Sequence, residues 1–471
     1  MTEHDDAAAA SLPVAALEEQ VVFSEWRTLR QGSSRSLSRT QALMKQLGYS
    51  PGDVGHRTVG VVGSKGKGTA SAYASAAAAA SGGGRVVTVM SPGVLSNADR
   101  IRVGGAPVGE DLRRSALLKI RQARQLLPQA TESSGYLAPT GLFLLMGFLI
   151  AREVDADIVV AEAGIGGASD DLSHWPLDGV IVTGIFGEHL DLLGPAVEDV
   201  AQNKSAVITP HTQWVVACPQ RPSVQAIIEQ RCREVGARFM TPSGVAGLWI
   251  SPVVGHLPPG FAQENAAAGV TAGVAISRSP LTDAAEFAVS DAELHQLAAV
   301  SQSVRYPGRL SVHEVPVGAG DPAAAGPTGR SPVRHCVVDS AVSRSGLQAA
   351  LTCAAGALDR TAQVLVCLPP SKDLQGFASE LQGFSGSKIF IEMPGAYIGT
   401  PERRDWPSGP GWEWVRLDDL GTGGAHQSAA SATLLDLLHR GDSLAVGTVL
   451  FTSLTLRTLG ADASQLFTAA E

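Results

Sequence analysis

From residue 56 onward, short apolar runs alternate with longer stretches of helical period. Thr58-Val59-Gly60-Val61-Val62 reads as a buried strand, followed by a glycine-rich turn and an alanine-rich helix over 69–80. Glycines at 82–84 end that helix, and 85–90 is the next strand. Residues 142–151 read as a helix, 158–161 as a strand ending in Glu162, and 179–183 as a strand stopping before a loop with His189. Strands alternating with helices predict a parallel sheet covered on both faces. Ligands of such sheets bind beyond the carboxyl ends of the strands, where the glycine turn, Glu162 and His189 all fall.

Outside this block the pattern weakens. Residues 1–20 read as a disordered tail and 23–47 as helical with breaks. A boundary falls near Tyr306-Pro307-Gly308-Arg309, and the alternation then restarts with a strand at 335–339, a helix at 346–358 and a strand at 364–368. The stretch VGAGDPAAAGPTGRSP (317–332) is of low complexity and reads as a flexible surface loop. No internal repeat is visible. The expected organisation is a tail at 1–20, a larger α/β domain at 21–305 and a smaller C-terminal α/β domain at 306–471.

Composition narrows the function classes. The chain has 471 residues, 44% hydrophobic and 17% charged, with a formal net charge of -9. That balance argues against a nucleic-acid partner, which would require a basic face. The most apolar stretch, 141–151, is too short to span a bilayer, so no membrane association is expected. The start, MTEHDDAAAASLPV, lacks the basic and apolar regions of a secretory signal. Five scattered cysteines without a CxxC pair read as buried free thiols, which favours a cytoplasmic location. Of the 36 basic residues only seven are lysines, and four of these (Lys65, Lys67, Lys204 and Lys372) lie in the motifs below. A compact or titratable ammonium is not replaceable by arginine.

The first motif is Gly63-Ser64-Lys65-Gly66-Lys67-Gly68-Thr69, between a strand and a helix. Glycines there let main-chain N–H groups turn toward phosphates at a helix start. Lys67 then reaches the β- and γ-phosphates, and the Thr69 hydroxyl suits Mg²⁺. A glycine turn without a ligand is the bland alternative. The spacing and the central lysine exclude a dinucleotide fingerprint.

From here the chain resembles the folylpolyglutamate synthase/dihydrofolate synthase branch of the Mur ligase superfamily. That family's GTNGKGS loop is GSKGKGT here, and its SPHL and RIRVNG elements stand as Ser91-Pro92-Gly93-Val94 and Arg100-Ile101-Arg102-Val103-Gly104-Gly105. EVGLGG is similar to Glu162-Ala163-Gly164-Ile165-Gly166-Gly167, and DHxxxLG to Glu188-His189 with Leu193-Gly194. AxEKAGII, PGRL and DKD resemble residues 201–208, Pro307-Gly308-Arg309-Leu310 and Ser371-Lys372-Asp373. The closing GSLY strand resembles Gly447-Thr448-Val449-Leu450-Phe451. Each match is weak alone, but their order is the family's.

The resemblance implies an α/β chain with a P-loop Mur-ligase-type central domain, a parallel sheet and a smaller Rossmann-like C-terminal domain. It implies ATP and Mg²⁺ as cofactors, a small-molecule carboxylate and an amine or amino acid as substrates, and an ADP-forming amide ligase. Residues 63–69 would hold the phosphates. One Mg²⁺ would bind through Thr69 and Glu162, and a second through Ser91, Glu162 and His189. Lys67, His189 and Lys204 would be catalytic, Lys204 matching a family lysine that carries a carbamate. Arg309 and Asp339 would contact the nucleotide, while Asp170, Lys372 and Asp373 would line the substrate cleft. A satisfied loop histidine, a surface lysine and a solvated loop pair are the plainer readings of His189, Lys204 and Lys372-Asp373.

Three departures change the expected substrate. The family's DGAHN is Asp339-Ser340-Ala341-Val342-Ser343, without the His and Asn. Its GGRLD is Gly166-Gly167-Ala168-Ser169-Asp170, without the arginine, and its FE element is replaced within Leu137-Ala138-Pro139-Thr140. The phosphate and metal apparatus is retained while the substrate side has drifted, which fits a non-folate acid of specialised metabolism. The alternatives are the housekeeping folate enzyme and an inactive nucleotide-binding partner subunit. A monomer is expected, with a partner subunit left open.

Overall fold

The apolar run expected as the first strand is β1 (Arg57–Val62), buried from Thr58 onward, as a strand covered on both faces must be. In the computed structural model the described residues are 11–50, 52, 55–245, 247, 249–280, 287–316, 333–394, 412–418 and 428–468. The low-complexity stretch 317–332 lies outside them. The chain divides into two compact units, residues 1–305 with 464–471, and 306–463.

Among the described residues of the first unit, eight strands take the order β4-β3-β2-β5-β1-β6-β7-β8. They are β2 (Val86–Val89), β3 (Ile101–Val103), β4 (Ala106–Pro107), β5 (Ile158–Glu162), β6 (Gly179–Val182), β7 (Trp214–Ala217) and β8 (Arg238–Met240) beside β1. The pairs from β2 through β8 are parallel; β3 and β4 are an antiparallel edge. Five helices position the candidate site or pack behind it: α1 (Leu37–Gln46), α2 (Lys67–Ala80), α3 (Pro139–Glu153), α4 (Val197–Ser205) and α5 (Phe261–Ser277). The apolar stretch at 141–151 is the fully buried centre of α3. No described helix is long and apolar enough to cross a membrane.

Residues 1–10 of the expected tail lie outside the described residues, but Val14–Glu18 is helical, with Val14 and Leu17 buried in the core. The far end of the chain also joins this unit. Gly105 O accepts from Leu466 N, Leu466 O accepts from Arg305 N, and Leu466 and Phe467 are buried.

Helices α2 and α5 meet through alanine and glycine, so their backbones approach closely. A Cβ on Gly273 would stand 2.5 Å from Ala74 O, and one on Gly269 would stand 2.4 Å from Ala70 O. A backbone carbonyl cannot swing aside as a side chain can. We therefore expect Gly273→Val to destabilise the unit by about 1–3 kcal/mol, the usual cost of overpacking. Urea denaturation would check this; an unchanged midpoint would mean that the helices separate freely.

Among the described residues of the second unit, six strands take the order β13-β12-β11-β14-β10-β9, parallel except for the β9–β10 pair. They are β9 (Ser311–Glu314), β10 (His335–Asp339), β11 (Gln363–Cys367), β12 (Ser387–Glu392), β13 (Trp412–Arg416) and β14 (Ser443–Gly447). Its helices include α6 (Arg344–Ala357), α7 (Leu374–Glu380) and α8 (Val449–Thr458). One expectation needs correction: residues 447–451 are not a strand. β14 ends at Gly447, Thr448 turns the chain, and Val449-Leu450-Phe451 begin α8.

Candidate functional site

The glycine loop starts where β1 ends, and packing enforces its composition. Gly63 has φ 140, and a Cβ there would stand 1.9 Å from Thr183 Oγ1. Gly66 has φ 89, and a Cβ would meet the Asn265 carboxamide at 2.2 Å. Between them Ser64 is held to the loop after β6: its N–H donates to Gly184 O, its hydroxyl to Phe186 O, and Phe186 N donates back to the hydroxyl. Lys65, in contrast, is exposed. The first turn of α2 starts at Lys67, its N-cap Gly66 supplying no side-chain cap. Such a start presents N–H groups and a partial positive charge to an anion.

Two lysine amines converge on one carbonyl. Lys67 Nζ donates to Gly63 O at 3.1 Å and Lys204 Nζ donates to the same oxygen at 2.9 Å. Lys204 is only 1% exposed, and its amine also donates to Glu188 Oε1 at 3.1 Å. Burial, reinforced by the positive Lys67, pushes the Lys204 ammonium down to about 8, against the opposing pull of Glu188. An amine that titrates near 8 is partly neutral at physiological pH.

Glu162 ends β5 beside Val61 of β1, where its buried carboxylate accepts from Ser91 N at 3.1 Å. The Ser91 hydroxyl accepts from Arg100 Nη1 at 3.1 Å, and the Arg100 guanidinium lies over the Phe143 ring. The loop after Glu162 is fastened to the Lys204 helix. Asn203 Oδ1 accepts from Gly167 N and Asn203 O from Ala168 N, while a Cβ on Gly167 would stand 2.5 Å from Lys204 O. His189 comes directly after Glu188 and sits in the left-handed region at φ 48, where its carbonyl starts a short helix. A left-handed non-glycine residue is uncommon and held by its surroundings.

Other expected site residues have structural duties. Asp170 is 2% exposed; its carboxylate accepts from Arg35 Nη1 at 3.0 Å, Ile165 N at 3.0 Å and Leu172 N at 3.1 Å. Next to it Asp171 is pushed up to about 6, by burial and then by Asp170, with Thr40 as its hydroxyl donor. In the second unit Asp373 caps α7 through Gly376 N and receives Arg344 N at the start of α6. Lys372 is half-buried in the turn before it. Asp339 accepts from Leu310 N, and Arg309 donates to Gly308 O with its guanidinium over Tyr306.

Sequence reasoning missed Arg35, Asn203 and Asn265. Asn265 has a weak signal in retrospect, as a buried carboxamide amid the alanines and glycines of α5. Arg35 has none, because its partner lies 135 positions away.

No cluster of three or more His, Cys, Asp or Glu side chains suited to a metal occurs among the described residues. The donors expected from the sequence, Thr69 and Glu162 for one ion and Ser91, Glu162 and His189 for a second, are of another type, two hydroxyls, one carboxylate and one imidazole. They fit a hard ion that keeps most of its shell as water and phosphate oxygens, as Mg²⁺ does.

No family model matches the chain. It is 27% identical to the dihydrofolate synthase/folylpolyglutamate synthase of Escherichia coli over 170 residues, 36% of this chain and 38% of that protein. With the Bacillus subtilis protein of the same description it shares 28% over 204 residues, 42% of this chain and 45% of the relative. These matches thus span less than half the length of either relative. Among solved structures, the Mycobacterium tuberculosis folylpolyglutamate synthase complexed with ADP and AMPPCP superposes with a TM-score of 0.68 at 18% identity, covering 94% of this chain and 99% of that one. The chain therefore has the fold of the solved folylpolyglutamate synthases.

Proposed function

We propose that the chain is an ATP-dependent ligase that joins a carboxylic acid to an amine through an acyl phosphate, and that the acid is not a folate. What carries the ligase reading is the convergence of Lys67 and Lys204 beneath an uncapped helix start, with Glu162 and Ser91 bonded together at a strand end. Main-chain N–H groups of residues 65–69, with Lys65 and Lys67, hold the phosphates of ATP. Arg309 and Asp339 are proposed nucleotide contacts of the second unit. Mg²⁺ held by Thr69 and Glu162, and again by Ser91, Glu162 and His189, would neutralise phosphate charge. Arg100 positions the Ser91 hydroxyl, and Asn203 fixes the loop that follows Glu162. An oxygen of the acid attacks the γ-phosphorus, and the bond to the β-phosphate oxygen breaks, releasing ADP. The amine then attacks the acyl carbon, loses a proton and expels phosphate.

The non-folate reading rests on the substrate side. Ala168 stands where the family has arginine, and Arg35 bonds instead to Ile165 O and Asp170 of the same loop. Lys372 of the second unit, half-buried in the turn before α7, is the proposed substrate-facing group; the carboxylates of Asp170 and Asp373 are occupied by their own loop and helix starts. The competing reading is folate glutamylation, the activity named for the Escherichia coli and Bacillus subtilis relatives.

ADP release, measured with ATP and with GTP against a panel of acids and amines, tests both readings. Val342 and Ser343 replace the family's His and Asn, and Ser343 Oγ instead accepts from Gly346 N at the start of α6. Each missing polar contact costs about 0.5–1.5 kcal/mol, up to roughly tenfold in affinity. We expect GTP to compete well with ATP, and turnover on simpler aryl or aliphatic acids to exceed that on dihydropteroate or tetrahydrofolate. Efficient folate glutamylation with tight ATP selectivity would return the chain to the folate enzymes. Nucleotide binding without turnover on any acid would make it an inactive partner subunit.

A further inference from the structure

β6 ends at Val182, yet the chain beyond it is held from two sides on its way to Glu188 and His189. On the β1 side the hold is Ser64, which donates its N–H to Gly184 O and engages both backbone groups of Phe186 through its hydroxyl. On the β7 side Cys218 N donates to Val182 O, and a side chain then takes over from the main chain. Gln220 Nε2 donates to Thr183 O at 3.0 Å, and Gln220 Oε1 accepts from Ile185 N at 3.0 Å. A carboxamide carries a donor and an acceptor on one planar group, so it can replace a peptide unit where the neighbouring strand has ended.

The segment needs that hold. Gly184 and Gly187 both lie in it, and neither is dictated by crowding. A Cβ on Gly184 would meet nothing within 4 Å, and one on Gly187 would meet only the Leu190 methyls, at 3.7 and 3.8 Å. Neither has a positive φ. Two such glycines add backbone freedom that folding must remove. Directly after them Glu188 Oε1 meets the buried Lys204 amine at 3.1 Å, and His189 keeps a left-handed backbone that persists only where its surroundings over-determine it. Ser64 belongs to the glycine loop, whereas Gln220 follows a sheet strand and belongs to none of the motifs above. Gln220 thus ties the segment to the sheet rather than to the phosphate loop.

We propose that Gln220 is a positioning residue for the ligase reaction, its carboxamide fixing residues 183–185 so that Glu188 stays on Lys204 and His189 stays in place for Mg²⁺. The proposal rests on the ligase reading above. Gln220 acts through the backbone of this loop, so phosphate binding by residues 65–69 does not depend on it.

The test compares wild type with two variants. Gln220→Met keeps the length of the side chain and loses both hydrogen bonds, while Gln220→Glu keeps the acceptor for Ile185 N but turns a carboxylate toward Thr183 O. Amide hydrogen exchange over residues 185–189 is expected to speed up in Gln220→Met. Mn²⁺ binding in the presence of AMPPCP, read by electron paramagnetic resonance, should weaken by about tenfold or more, with kcat falling to match, as for other groups that orient metal ligands. Calorimetric affinity for AMPPCP in EDTA should stay unchanged, and Gln220→Glu should fall between Gln220→Met and wild type. If Gln220→Met keeps the Mn²⁺ affinity and kcat of wild type, the proposal alone is wrong. A parallel drop in melting temperature and in metal-free AMPPCP affinity would also overturn it, making Gln220 a prop of the whole unit. Wild type that binds neither AMPPCP nor Mn²⁺ would sink the ligase reading and this proposal with it.

Discussion

Replacing Lys67 with alanine is expected to lower kcat by about 10²–10³-fold, the usual consequence of removing one donor from developing charge. Folding should hardly notice, because the lysine's bond to Gly63 O is part-buried and Lys204 donates to the same oxygen. The stability change should stay within about 0.5 kcal/mol, as for substitutions outside the core. ADP release by single turnover, with a urea titration of the same sample, separates the two effects. A variant that turns over at a near-normal rate would remove the phosphate role from the glycine loop. The substitution also reaches past its own contact. Lys67 is one cause of the lowered Lys204 ammonium, so its removal should raise Lys204 toward the ordinary lysine value. Part of the loss will then come from a neighbour still in place, and the two substitutions should not add.

The second large effect concerns Lys204 itself. Its amine is buried, lowered to about 8 and poised beside Glu188, which makes it partly neutral near physiological pH. Only a neutral amine adds carbon dioxide to form a carbamate, which replaces a cation by a carboxylate-like oxygen ligand suited to Mg²⁺. Modification and turnover should therefore rise together as pH rises through about 8. The group's effect on stability has a definite sign. Its folded value lies below the unfolded one, so the unfolded chain holds more protons between about 8 and the ordinary lysine value, and stability from this group grows with pH across that window. We expect Lys204→Ala to lose activity by about 10–100-fold, the range for groups that orient a metal site. Added acetate or formate should restore part of it. Carbon-13 NMR in labelled bicarbonate would detect the carbamate directly. An amine that never labels, in a protein indifferent to Lys204→Ala, would sink the idea.

The pattern of apolar and polar positions was informative where structure is local. The apolar run at 58–62, the glycine loop and the alanine-rich helix lie within a residue or two of their expected places, because burial on both faces writes a continuous apolar strand. Short elements left no such trace. β3 and β4 have three and two residues, too few for any period to emerge. Residues 447–451 misled because an apolar run after a glycine can continue a strand or begin a helix, and here the chain turns at Thr448 into α8. At the site, Lys67, Glu162 and Lys204 lie in motifs legible in the sequence, whereas the pairing of Arg35 with Asp170 brings together residues 135 positions apart. Asp373 illustrates the opposite limit. Its motif suggested a substrate contact, but both of its oxygens hold helix starts.

The return of Leu466 and Phe467 to the first unit carries a consequence for synthesis. Translation proceeds in one direction, and early domains ordinarily fold as they emerge. Here the edge formed by Gly104, Gly105, Ser303 and Arg305 waits for hydrogen-bond partners encoded after the whole of 306–463. Until those residues leave the ribosome, the nascent protein carries a completed sheet with an unfinished rim. The rim closes only when Leu466 and Phe467, encoded late in the message, are seated against it.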